Sequence, residues 1–380
     1  MKVNKAYKFR FYPTTEQERA IARTFGCCRF VYNHILAYRT EAWEQRKERI
    51  GYLKASKLLT VLKKDPQHVW LSEVSSVPLQ QAVRHQQAAF SNFFAGRARY
   101  PVFKSRKGLQ SASFMKTSFS WDREKRELVL AKMEQPLDIR WSRTIQRKAE
   151  ITSVNISRDP AGRYFISFRC QEEVNPFPVA AGEVGIDLGL NNLVVLSNGE
   201  KVPALKVYRR EEARLAKLQR KLAGKKKGSR NRNKAKVKVA RVYAKIADRR
   251  RDELHKLSTR LIRENQTVAV ESLRVGNMLK NRRLAKAIAD AGWGELVRML
   301  EYKALWYGRN LVKADPFLPS SKTCSACGYV EEGMTLVVRG WRCPVCDSLH
   351  DRDVNAARNV LAAGLAVSAC GGSVRPGVPV

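Results

Sequence analysis

Val184-Gly185-Ile186-Asp187-Leu188-Gly189-Leu190-Asn191-Asn192-Leu193-Val194-Val195-Leu196 reads as a strand, a bend permitted by glycine and a second strand, with one carboxylate inside an otherwise apolar run. Burying that carboxylate is costly unless something pairs with it, and a metal ion is a suitable partner. The plainer alternative is that Asp187 holds a turn, a common use of Asp beside Gly. Two further acids lie far downstream. A helix over Asp252 to Glu264 leads to a short buried strand, Thr267-Val268-Ala269-Val270, that ends in Glu271. Asp353 begins a helix over Val354 to Ala363, and the three acids are 84 and 82 residues apart, so nothing local explains them together. An acid on the first strand of a hairpin, one at the end of a later strand and one on a closing helix is the arrangement of a ribonuclease H-like site. Such a trio can hold two Mg²⁺ ions that activate a water and stabilise the leaving oxygen of a phosphodiester. Asp351 is the neighbour most easily confused with Asp353, and its position suits a helix cap.

Between the second and third acids stand Cys324, Cys327, Cys343 and Cys346, two Cys-x2-Cys pairs separated by fifteen residues. That spacing predicts a four-thiolate zinc ribbon, and four thiolates leave no open coordination position, so the zinc belongs to folding and not to catalysis. His350 is expected to be a supporting or core residue. Cys27, Cys28, Cys170 and Cys370 complete the eight cysteines and fit no disulfide framework in a chain of 380 residues, which suits a reducing compartment.

Charge selects the partner: 72 Lys and Arg against 35 Asp and Glu leave a formal net charge of +37. A field of this size binds polyanions through counterion release. No apolar run of about 18 residues is present to span a bilayer, and Met1 to Pro13 lacks the apolar segment of a signal peptide, so a soluble cytoplasmic protein is expected. Between Tyr208 and Arg251 the pattern gives a helical hairpin, with Leu215, Leu218 and Leu222 on one arm, Val239, Val242 and Ile246 on the other, and Lys225, Lys226, Lys227 and Arg230 at the tip. A charge run is usually a solvated face; added to a net +37, this one reads as a phosphate contact. Lys280, Arg282 and Arg283 follow Glu271 and either steer scissile phosphates or form a solvated loop.

Upstream, Tyr7, Phe9 and Phe11 alternate with Lys8 and Arg10 as a strand, and helices are expected through Phe25 to Tyr38, around Leu58 to Leu62 and over Pro78 to Phe94. Strand signals at Glu127 to Leu130, Ala149 to Val154 and Arg163 to Cys170 suggest a β-barrel-like module that pairs with the N-terminal strand and carries the helical bundle as an insertion. Gln80, Arg84 and Gln87 form a polar stripe on the third helix. Such side chains can bond base edges bidentately, but a polar stripe is also the ordinary solvated face of a bundle helix, and Tyr52 and Ser56 carry the same two readings.

Taken together, Phe9-Arg10-Phe11-Tyr12-Pro13 with Phe30-Val31-Tyr32-Asn33, Gly185-Ile186-Asp187-Leu188-Gly189, Val270-Glu271, Asn281-Arg282-Arg283-Leu284 with Asp290, Gly292 and Trp293, the cysteine ribbon, and Asp351-Arg352-Asp353-Val354-Asn355-Ala356-Ala357 resemble TnpB. This is the transposon-encoded family of insertion sequences related to type V CRISPR effector nucleases. The resemblance implies an RNA-guided DNA endonuclease, acting as a monomeric protein in the bacterial or archaeal cytoplasm in association with the nucleoid. It would carry a guide RNA from the transposon end, recognise a short motif adjacent to its target in double-stranded DNA, and cut both strands at one RuvC-like site. It makes Asp187, Glu271 and Asp353 the catalytic ligands of two Mg²⁺ ions and the four cysteines the ligands of one zinc. It divides the chain into a wedge of residues 1–13 and 96–180 that holds RNA, a recognition bundle of residues 14–95 with Tyr52, Ser56, Gln80 and Arg84 as motif readers, a RuvC-like domain of residues 181–320 and 350–366, a ribbon of residues 321–349 and a flexible tail of residues 367–380. Delegating sequence to base pairing fits the charge, since the protein then needs mainly a basic channel and a motif reader.

Two other classes of function compete with this reading. A transposase or transposase accessory protein would make strand-transfer products without RNA, and no nucleophilic tyrosine motif stands out. A non-cleaving regulator would bind nucleic acid with the acids in structural roles, and metal-dependent cleavage would exclude it.

Overall fold

In the computed structural model, which describes residues 1–335 and 337–369, the chain divides into two compact units. The first comprises residues 2–173. Its opening strand β1 (Lys2–Tyr12) is followed by α1 (Thr15–Arg46), α2 (Tyr52–Lys64) and α3 (Ser76–Phe94), then by β2 (Gln110–Met115), β3 (Phe119–Asp122), β4 (Glu127–Leu130), β5 (Asp138–Arg140), β6 (Glu150–Arg158) and β7 (Tyr164–Glu173). A capping box starts α1: Thr14 Oγ1 accepts from the Gln17 backbone N–H and Gln17 Oε1 accepts from that of Thr14, with Glu16 and Glu18 at the positive end of the dipole. The helix then runs unbroken to Arg46, well past the expected Tyr38.

Five strands join antiparallel in the order β2-β6-β7-β1-β5, and β3 and β4 form a separate hairpin. This corrects the barrel expectation, because β2 and β5 remain as edges and the sheet does not close among the described residues. Alternation in sequence predicts strands with one apolar face but not whether the edges meet. Here Phe9, Phe11, Ile166 and Phe168 share one core with Ile35, Leu71 and Leu79 from the helical segment, so the helices cover what a closing strand would otherwise protect.

The second unit contains residues 174 onward together with Met1. It holds β8 (Gly182–Leu188), β9 (Asn192–Leu196), β10 (Lys201–Pro203), α4 (Val207–Ala223), α5 (Arg230–Glu264), β11 (Asn265–Val270), α6 (Val275–Met278), α7 (Ala285–Ala291), α8 (Trp293–Tyr307), β12 (Asn310–Lys313), β13 (Gly340–Arg342), β14 (Leu349–Asp351) and α9 (Arg352–Ala369). The sheet order is β10-β9-β8-β11-β12, with β8, β9 and β10 antiparallel and β11 parallel to both β8 and β12. The hairpin, the later strand and the closing helix foreseen around the three acids are all present. One helix of 35 residues, α5, replaces the separate arm and the Asp252 to Glu264 helix. Its first half zips to α4 through Val239, Val242, Ile246 and Leu215, and its second half buries Leu254, Leu257, Leu261 and Ile262 in the core beneath the sheet. Helix α9 begins at Arg352, two residues before the expected start, and extends through Ala369; the remainder of the expected tail, residues 370–380, lies outside the described residues. No described helix is long and apolar enough to cross a membrane.

Two glycines let α9 lie directly on the sheet. A Cβ at Gly185 would overlap the carbonyl oxygen of Ala357 and stand 2.8 Å from the backbone nitrogen and Cβ of Leu361, and one at Gly364 would stand 2.6 Å from the Cβ of Ala269. These are backbone and core contacts that cannot swing aside. Gly185→Ala is therefore expected to lower the free energy of chemical unfolding by about 1–3 kcal/mol or more, whereas Gly276→Ala, with nothing within 4 Å of its Cβ, should change it far less.

Candidate active site and metal centre

Alternation along β8 turns Ile186 and Leu188 into the core and leaves Asp187 half-buried between them, while Glu271 follows the last residue of the parallel neighbour β11. The register that places Ile186 beside Val270 brings the two carboxyl groups together. Loss of water around the pair pushes Asp187 up to about 8, and the charges of Glu271 and Asp353 and a hydrogen bond to Glu271 push the same way. Glu271 is also raised by burial, partly offset by hydrogen bonds from the Ser320 hydroxyl at 3.2 Å, from Asp187 and from the Leu188 backbone. Burial and mutual repulsion thus favour one proton held on the pair at neutral pH.

Asp353 lies in the first turn of α9, close enough for its charge to act on Asp187. Arginines hold it: Arg352 Nη2 at 3.1 Å and Arg339 Nη1 at 3.5 Å. The three acids therefore form a close pair with a third carboxylate tied to guanidinium groups. The only group of three or more His, Cys, Asp or Glu donors lying within 4.8 Å of one another among the described residues is the cysteine cluster. Asp351 caps α9, accepting from the backbone N–H groups of Asp353 and Val354 at 3.1 Å each, and pairs with Lys201 at 2.5 Å.

Sγ atoms of Cys324 and Cys346, and of Cys327 and Cys343, are 3.6 Å apart. A tetrahedral zinc with bonds of about 2.3 Å sets sulfurs about 3.8 Å apart, so the four thiols fit that ion and leave it no free position. Buried His350 packs its ring 4.8 Å from that of Trp341 and brings Nε2 to 3.1 Å from Cys324 Sγ.

What links the ribbon to the acid pair is a set of amides with no spacing signature. Asn355 and Asn359, one turn apart on α9, donate to the Thr323 carbonyl at 2.7 and 2.6 Å and to that of Ser320 at 3.4 and 2.8 Å. Asn355 also accepts from the Ser325 backbone N–H at 2.9 Å. The side chain of Ser320 is the donor to Glu271, so one backbone segment is gripped by α9, ends in Cys324 and supports an acid. Asn355 and the two alanines after it were visible as a motif; its role required the fold.

Of the expected nucleic-acid contacts, Lys225, Lys226, Lys227 and Arg230 are exposed at the tip between α4 and α5. Lys280, Arg282 and Arg283 are exposed after α6, and Arg283 lines a cleft of about 360 Å³ with Lys206, Arg209 and Lys286 and with the acids Glu212, which pairs with Lys286, and Asp290. Gln80 and Arg84 are exposed on α3, and Ser56 is half-buried on α2. Arg84 Nε donates to the Tyr52 hydroxyl at 3.2 Å, so reading a base with either would require giving up that bond. Gln87 is engaged by Arg39.

Because Asp187 is raised in the folded chain, protonation stabilises the fold below its unfolded range, and that stability is lost as pH rises through about 8. Without added divalent metal, Asp187→Asn should therefore be more stable than the wild type at pH 8.5, by about 1 kcal/mol or more, with a higher unfolding temperature, and the gap should shrink toward pH 5. Thermal unfolding across that range checks this, and a gap independent of pH would contradict it.

A family profile described as "Probable transposase", of the IS605 OrfB type, matches residues 167–282. A "Helix-turn-helix domain" profile of that type matches residues 1–48, and a "Cas12f1-like, TNB domain" profile matches residues 293–360. A protein of Streptomyces pristinaespiralis named "Putative RNA-guided DNA endonuclease" is 56% identical, over 98% of this chain and 92% of its own length. The similarly named InsQ of Escherichia coli K12 is 34% identical over 100% and 97%. In fold, the chain is similar to the protein in the "Cryo-EM structure of the Cas12f1-sgRNA-target DNA complex", with a TM-score of 0.57, 13% identity and coverage of 94% and 98%. Similarity of this extent, running from end to end of the chain and of its relatives, means that it belongs to the TnpB family, the OrfB proteins of IS605-type insertion sequences.

Proposed function

We propose that the chain is an RNA-guided DNA endonuclease that hydrolyses phosphodiester bonds at the Asp187, Glu271 and Asp353 site. The observation that carries the proposal is the acid pair itself: two carboxyl groups brought together by strand register in a protein of net charge +37, where burial and mutual repulsion outweigh the field of Arg352. Oxygen donors raised by burial and mutual repulsion suit a hard divalent cation such as Mg²⁺. When bound, such ions supply Lewis acidity and an activated water. Asp187 and Glu271 would ligate from the sheet and Asp353 from α9. Ser320 orients Glu271 through its hydroxyl, and Arg352 and Arg339 pair with Asp353. Asp351, occupied as a cap, has a structural task.

The ribonuclease H-like reading of the second unit, the guide RNA from the transposon end, the adjacent DNA motif and action as a single protein copy belong to the same proposal. The exposed lysines at the α4 and α5 tip and the cleft with Arg283 give phosphates a surface that carries no sequence information. That suits a protein whose target is chosen by base pairing. The wedge, recognition and RuvC-like boundaries of the sequence reading are kept as proposals, as are Tyr52, Ser56, Gln80 and Arg84 as motif readers.

Removing a ligand should cost more than removing its support. With the RNA that co-purifies when the protein is made beside its native flanking DNA, Asp187→Ala should lower cleavage well beyond the roughly 10- to 100-fold typical of losing a supporting partner, and Ser320→Ala should fall within that range. Both should retain RNA as the wild type does. Intact cleavage by Asp187→Ala would falsify the site. The purified chain should also carry one zinc per molecule by elemental analysis, lost with Cys343→Ser together with ordered signals from the ribbon.

A further inference from the structure

A cavity of about 510 Å³ opens in the first unit between the C-terminal half of α1 and the end of α3. Its volume lies within the range of about 300–1,000 Å³ usual for small-ligand sites. Five aromatic side chains line it: Trp43, Phe90, Phe93, Phe94 and Tyr100. Tyr100 stands edge-on to Phe90 and Phe93 at 5.6 and 5.3 Å, and Phe94 stacks on Phe90 at 6.2 Å, which leaves Phe94 71% exposed. Keeping that much aromatic surface in water is unfavourable unless something covers it.

The lining also states what the occupant must be. Arg39, 5% exposed, lies 5.0 Å from the Phe90 ring and gives one Nη2 hydrogen bond to Gln87, while its Nε is buried with no hydrogen-bond partner. Lys47 and Arg49 flank the Trp43 ring at 5.7 and 5.6 Å. The one acid in the lining, Glu48, is paired with Lys54 and Arg46. A hydrophobic peptide would cover the rings but would satisfy neither the buried donor nor the cations. A planar heteroaromatic group with acceptor atoms on its edge and a phosphate attached meets all three.

We propose that this cavity receives one unstacked nucleobase of the bound nucleic acid, stacked on Phe94 and Trp43, with Arg39 beside its edge and Lys47 and Arg49 near its phosphate. The proposal rests on the nucleic-acid reading above but not on cleavage, so either can fail alone. The test uses the full-length protein with a single-stranded RNA containing 4-thiouridine and, separately, a DNA of equal length containing 4-thiothymidine. After irradiation, peptides are mapped by mass spectrometry. Crosslinks to Trp43, Phe93, Phe94 or Tyr100 are expected, and the arm that gives them identifies the strand. Phe94→Leu keeps apolar bulk at an exposed position that folding does not need, yet it should remove the crosslink and weaken binding of that strand about tenfold. Crosslinks confined to other surfaces would overturn the proposal. So would unchanged affinity of Phe94→Leu, or a loss of self-association in that variant with crosslinking intact.

Discussion

Asp187 and Glu271 are brought together by strand register, and burial and mutual repulsion keep one proton on the pair. The rest of the second unit is arranged around that unfavourable contact. Two parallel neighbours, β8 and β11, place the acids side by side because a parallel pair carries equivalent positions to the same end of the sheet. A structural role would be better served by apolar residues there, since a carboxylate pair adds a desolvation cost without compensating contacts. The contact makes physical sense as an arrangement that a divalent cation relieves.

Helix α9 ties that pair to everything near it. It lies on the sheet only because Gly185 and Gly364 have no side chains, it presents Asp353 in its first turn, and its next two turns grip the segment that leads into the zinc ligands. Cys324 of the four-thiol cluster and the carboxyl group of Glu271 are thereby held by one stretch of backbone through Ser320. The ribbon does more than hang from the domain, because its first ligand and the support of an acid move together.

Much of this was legible in the sequence, and the limits follow from range. Asp187, Glu271 and the cysteines announce themselves through local cost or spacing: a charge in an apolar strand, a charge at a strand end, paired Cys-x2-Cys. The arms of the α4 and α5 hairpin showed in their apolar stripes, although the unbroken length of α5 did not, since its Arg249-Arg250-Arg251 run is as good a helix former as a tip. What was hidden depends on tertiary contact. Edge strands of an open sheet and of a barrel carry the same alternation. Ser320, Asn359 and the arginines on Asp353 are ordinary polar residues until the chain folds. The aromatic cavity combines residues of α1, α3 and the segment after α3 that meet only in the fold.

Calorimetric titration of Mn²⁺ into the purified chain at pH 7, repeated in buffers of different ionisation enthalpy, is the most direct measurement of whether a cation resolves the acid pair. If Asp187 holds a proton that a metal must displace, binding will be saturable and will release close to one proton per site at pH 7 and little at pH 9.5, and Asp187→Asn will abolish the release. Binding with no proton release at pH 7, or release that persists in Asp187→Asn, would contradict the account.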